Sequence, residues 1–144
     1  MTNLDTGLGF KFAGTFYGGP NAAPIYKDFY FKDTETLTKG DVLNLESGEV
    51  DLAATDDTAF IGVAAETVAG TDSTTQIRVI VNPDAVWSVY DPNARAIGAQ
   101  LDITGTTGQM TVATDSNHDV YVCGGLGADE RTLVRFVPAE QAWV

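Results

Sequence analysis

The sequence is poor in the groups that enzyme chemistry usually needs. Its 144 residues include one cysteine, Cys123, and one histidine, His118. A single cysteine excludes an intramolecular disulfide. It fits a small buried apolar side chain in a protein made in a reducing compartment. Cations are scarce: eight Lys and Arg stand against twenty Asp and Glu, a net charge of -12. A field of that sign repels phosphate, which excludes nucleic acid and anionic membranes as direct partners. The longest apolar runs, such as Phe60 to Ala65, are far too short to span a bilayer. The first ten residues, MTNLDTGLGF, have neither a basic nor an apolar signal region, so no signal peptide is expected. No window repeats apolar residues at helical spacing; the best exception is a short turn at Pro92 to Ala96.

What is present is strand chemistry. At 44% hydrophobic and 19% charged residues the composition is that of a globular protein, long enough to bury a core without a disulfide or metal. Val, Ile, Thr and aromatic residues form short runs divided by Gly, Asp, Asn and Ser. Asp41 to Leu45 and Glu49 to Ala53 flank Ser47-Gly48 as a hairpin. Ala59 to Ala65 is an apolar strand, and Ala85 to Tyr90 another. Thr75 to Val81 alternates, with Ile77, Val79 and Val81 on the buried face. Gln100 to Thr104 and Gln109 to Thr114 form a second hairpin, and Asp119 to Cys123 and Thr132 to Val137 complete the set. The class is all-β, a compact β-barrel or β-sandwich. The run from Gly40 to Ala53 is echoed from Gly98 to Ala113, which suggests a domain over 34–144 built of two related halves, 34–97 and 98–144.

The first 33 residues differ from the rest. They hold eight of the fourteen aromatics: Phe10, Phe12, Phe16, Tyr17, Tyr26, Phe29, Tyr30 and Phe31. Gly7, Gly9, Gly14, Gly18, Gly19, Pro20 and Pro24 break any long element there. This predicts an extended arm over 1–33, with one strand at Asp28 to Lys32. An aromatic arm either docks on another chain or wraps its own domain. In the first case its removal leaves a folded domain.

No set of residues assembles a catalytic or metal centre. His118 and Asp119 are sequence neighbours in a loop or strand and point apart, so they make no Ser-His-Asp arrangement; His118 reads as an exposed loop residue. Asp115-Ser116-Asn117-His118-Asp119 begins like a calcium loop. It fails at Val120, where Gly is needed, and at Leu126, where a bidentate Glu is needed. Gly124-Gly125-Leu126-Gly127 lacks the helix that makes a phosphate loop and reads as a bulge or turn. Asp56-Asp57 sits in a loop as a solvated pair. No cofactor is expected.

The run Leu37-Thr38-Lys39-Gly40-Asp41-Val42-Leu43-Asn44-Leu45, then Gly48-Glu49-Val50, then Asp57 to Ala64, resembles the head decoration (cement) proteins of tailed bacteriophages. Ile97 to Ile103 and Gly108 resemble the second hairpin of that group. The likeness covers roughly Leu37 to Val137. It implies a β-tulip-like domain without enzymatic activity, made in the host cytoplasm and bound to the outer surface of the virion. It also implies a homotrimer contacting the major capsid protein, with the arm as the capsid-binding element. The rival expectations are a carbohydrate-binding or adhesive module using Trp87 and Trp143, a trimeric barrel hydrolase, and another structural virion or tail component.

Overall fold

A computed structural model describes residues 9–114, 118–124 and 131–142. The fold is all-β: the described residues contain thirteen strands, one short 3-10 turn at Pro138–Glu140 and no α-helix. A closed barrel has the strand order β2 (Tyr26–Phe31), β5 (Glu49–Leu52), β4 (Val42–Glu46), β6 (Phe60–Ala64), β8 (Gln76–Ile80). A six-stranded sheet has the order β1 (Lys11–Thr15), β9 (Ala85–Tyr90), β13 (Arg131–Phe136), β12 (Val120–Gly124), β10 (Gln100–Thr104), β11 (Thr111–Thr114). Among the described residues, the short strands β3 (Glu35–Leu37) and β7 (Val68–Gly70) pair only with each other.

The two sheets repeat one strand order. Reading β5-β4-β6-β8-β2 in the barrel against β11-β10-β12-β13-β9 in the sheet, each strand meets its counterpart in the same sequence of neighbours. The echo between Gly40–Ala53 and Gly98–Ala113 therefore falls on corresponding hairpins, β4–β5 and β10–β11. By this correspondence β2 belongs with the first half and β9 with the second. The division runs through residues 81–84, between β8 and β9, and not at 97/98. Barrel closure differs between the halves. β2 closes on β5 by a parallel ladder, Tyr30 with Glu49 and Phe31 with Val50. In the second half β1 occupies the outer edge of β9, and the Gly9 N–H donates to the Met110 carbonyl at 2.9 Å beside the start of β11.

The core is double, and its shape explains the unbroken apolar run of β6. Phe29, Phe31, Leu43, Val50, Ile61, Ile77 and Val79 fill the barrel interior. Val42, Phe60 and Val63, on the outer faces of β4 and β6, join Trp87, Val89, Ile103, Val122, Val134 and Phe136 in a second cluster between barrel and sheet. Both faces of β6 are thus buried, and every position of Phe60–Ala64 is apolar or Gly. Gly62 allows the tight crossing there: a β-carbon on it would overlap the Ile80 carbonyl oxygen. The alternation expected of Thr75–Val81 is present, with Ile77 and Val79 fully buried and Gln76 and Arg78 exposed.

Two further sequence expectations are corrected. Residues 9–33 are not an arm separate from the domain: β1 pairs with β9, and β2 pairs with β8 and β5. Removing 1–33 would take a strand from the closed barrel, so it cannot leave the domain intact. Pro92–Ala96 is not helical. The Asp91 carboxylate accepts from the Asn93 N–H at 3.2 Å and from Arg95 Nε at 2.8 Å, which satisfies the loop through a side chain instead of a helical ladder.

Candidate docking surface

The eight aromatics before residue 34 divide by strand geometry. On β2 the side chains alternate: Phe29 and Phe31 point into the barrel, while Tyr26 and Tyr30 point outward and are 51% and 46% exposed. Phe10 is buried under the second core, and Phe12 packs edge-on against Trp87 with ring centroids 5.9 Å apart. Phe16 and Tyr17 lie in the turn after β1 and are 53% and 82% exposed. Phe10, Phe12, Phe29 and Phe31 thus serve the chain's own cores, whereas Phe16, Tyr17, Tyr26 and Tyr30 face outward.

The Phe16–Tyr17 turn is a built platform. Gly14 carries a positive φ of 111°, and a β-carbon there would overlap the Gly19 carbonyl, so the tight return from β1 requires glycine. Thr15 and Gly19 exchange backbone hydrogen bonds of 3.1 and 2.9 Å, and the Phe16 N–H donates to Asp84 at 2.8 Å. Under the rings lies Arg135, nearly buried, its guanidinium 4.4 Å from the Phe16 centroid, 5.9 Å from Tyr17 and 5.6 Å from Tyr121. A cation held beneath aromatic faces keeps them fixed and polarised. Tyr26 has a similar companion in Arg78, 5.9 Å from its ring, and Arg78 in turn lies 3.6 Å from Asp28. Ile25 and Ile97 are the other large apolar side chains on the described surface.

The groups tested for chemistry remain apart. His118 is exposed with a left-handed backbone, φ 59°. Asp57 accepts from the Ala54 N–H at 2.8 Å and shapes its own loop, while Asp56 is exposed. Cys123 is half-buried, and burial raises its thiol pKa against the opposing charge of Arg135. Trp87 is fully buried and offers no platform to a sugar. Asp115–Asn117, Gly125–Gly127 and Trp143 lie outside the described residues.

Two buried carboxylates bridge the halves of the fold. Asp41 accepts from the Thr38 N–H, the Thr107 hydroxyl and the Gly108 N–H at 2.8, 2.6 and 2.8 Å. Asp119 accepts from the Thr55 hydroxyl at 2.8 Å and the Ile103 N–H at 2.9 Å, and its other oxygen has no hydrogen-bond partner among the described residues. Each carboxylate joins one half of the fold to the other, in opposite directions. Burial pushes the Asp119 carboxyl up to about 6, against the two hydrogen bonds that favour its charged form. Sequence places Asp119 at the start of a strand, and nothing local shows that Thr55 reaches it.

Comparison with solved structures gives a match to the N base of the head fiber gp8.5 in bacteriophage phi29, at a TM-score of 0.51 and 19% identity. The alignment covers 81% of this chain and 98% of that one. At this identity the likeness is one of fold. No protein-family profile matches the chain, and no curated protein matches it.

Proposed function

We propose that the chain is a structural protein of a tailed-phage head that docks on the outer capsid surface as a decoration protein. The observation that carries this reading is the fold shared with a phage head fiber base over nearly all of that base. The resemblance of Leu37–Ala64 to head decoration proteins supports it from sequence. Phe16, Tyr17, Tyr26 and Tyr30 supply the outward apolar area that docking on major capsid protein needs. The charge of -12 suits a partner on the outside of the shell, away from the genome. In this reading the chain binds and clamps, as a homotrimer across neighbouring capsid subunits, and performs no chemistry.

The name of the structural neighbour favours one second reading: the chain forms the base of a projecting fiber and does not clamp the shell. Both readings predict that purified protein added to expanded, undecorated heads sediments with them to a fixed stoichiometry. A decoration protein also raises the temperature at which the heads rupture, and a fiber base leaves it unchanged. Absence of sedimentation with heads at micromolar protein rejects both.

A further inference from the structure

We propose that the cleft between β1 and the barrel mouth binds an acidic, apolar polypeptide segment of the partner on which the chain docks. The cleft measures about 540 Å³, within the range of ligand-binding pockets. Phe12, Pro24, Tyr26 and Ile80 give it an apolar wall, and Lys11 and Lys39 stand at its border.

The placement of those two lysines carries the argument. The chain has only eight cations, and most are committed within the fold. Lys32, Arg78 and Arg95 pair with Glu46, Asp28 and Asp91. Arg131 holds Ser88 and the Gly9 carbonyl, Arg135 lies under Phe16, and Lys27 sits 6.0 Å from the Phe29 ring. Lys11 and Lys39 are exposed, form no ion pair among the described residues, and border the same cleft. Asp41, two residues from Lys39, and Glu66, next to the cleft-lining Ala65, already accept hydrogen bonds. Asp41 is taken by Thr38, Thr107 and Gly108, and Glu66 accepts from the Arg78 N–H at 3.0 Å. On a surface that otherwise repels carboxylates, two free ammonium groups beside aromatic and aliphatic walls select a ligand bearing both negative charge and apolar side chains. A polypeptide with alternating acidic and apolar residues has that chemistry.

This inference rests on the docking reading, and the two can fail separately. Labelled peptides alternating Phe and Leu with either Asp and Glu or Lys are titrated with the full-length protein, read by fluorescence anisotropy. The acidic peptide is expected to bind saturably and the lysine peptide not at all. The double variant Lys11→Ala/Lys39→Ala, which should melt like the parent, is expected to bind about tenfold more weakly, and Lys27→Ala unchanged. Raising salt from about 50 to about 500 mM should weaken the parent and not the double variant. Failure of the acidic peptide to bind, equal binding by the double variant, or full displacement by inorganic phosphate at similar affinity overturns the proposal. Lys11→Glu/Lys39→Glu is then mixed with undecorated heads. If parent and variant sediment equally, the cleft is not used and the docking reading stands. If the parent itself does not sediment, the docking reading falls and the peptide titration decides the cleft.

Discussion

The carboxylate of Asp41 accepts a hydrogen bond from the backbone N–H of Gly108 at 2.8 Å, across 67 residues of sequence. Asp41 is fully buried and opens the first hairpin; Gly108 lies in the loop of the corresponding second hairpin. Gly9, Phe10 and Gly40 meet at the same place, where the Phe10 N–H donates to Gly40 at 2.8 Å. The N-terminal strand, the barrel and the sheet are joined there by one side chain and a few backbone groups. Asp41→Ala leaves the part-buried Thr38 and Gly108 N–H groups without their carboxylate acceptor and is expected to cost about 3 kcal/mol, read as a fall in the urea midpoint. Thr107→Val removes one exposed donor and should cost about 1 kcal/mol.

Asp119 makes stability depend on pH in an unusual direction. Its carboxyl titrates at about 6 in the folded chain, against 3.8 for the ordinary group. Between those values the folded state holds a proton that the unfolded state has released. Stability therefore rises as pH falls through about 6 and levels off below about 3.8. Glu35 and Asp51, also raised by burial, act in the same sense. The melting temperature is expected to be higher at pH 5 than at pH 7.5. Asp119→Asn should flatten most of that slope, and an unchanged slope in this variant would remove Asp119 as its source.

Adjacent residues on β2 should behave oppositely. Phe31 is fully buried, and its ring packs against Gly70 so closely that a β-carbon there would lie 2.5 Å from it. Phe31→Ala is expected to cost about 3–5 kcal/mol. Tyr30→Ala, on the outer face, should change stability by about 0.5 kcal/mol or less. Thermal unfolding of the two variants checks both.

Deleting residues 1–33 removes β1 and β2 and opens the barrel at β5 and β8. The truncated chain is expected to lose the cooperative transition of the full one, seen by circular dichroism. A folded truncation would contradict the role of β2 as a barrel strand.

The legible part of the fold was its local part. Alternation in Thr75–Val81 and hairpins closed by Ser47-Gly48 and Gly105–Gly108 are written in a few adjacent residues, and they lie close to where sequence placed them. β1, β3 and β7 were missed because their pairing is non-local and their sequences carry Gly or only three residues. The aromatic segment was recognised as special, but composition could not divide it. Phe29 and Phe31 occupy the opposite face of β2 from Tyr26 and Tyr30, and the pairing with β8 sets which face turns inward. Arg135 beneath Phe16 and Tyr17 is likewise a product of the tertiary fold, since over a hundred residues separate it from the turn.

The most direct test of the account is a binding isotherm on expanded, undecorated heads for the parent and for the Tyr17→Ala/Tyr30→Ala variant, whose side chains are 82% and 46% exposed. The account predicts saturable binding by the parent and about tenfold or greater weakening in a variant of unchanged melting temperature. Equal affinity for the two would contradict the assignment of the outward aromatics as the docking surface.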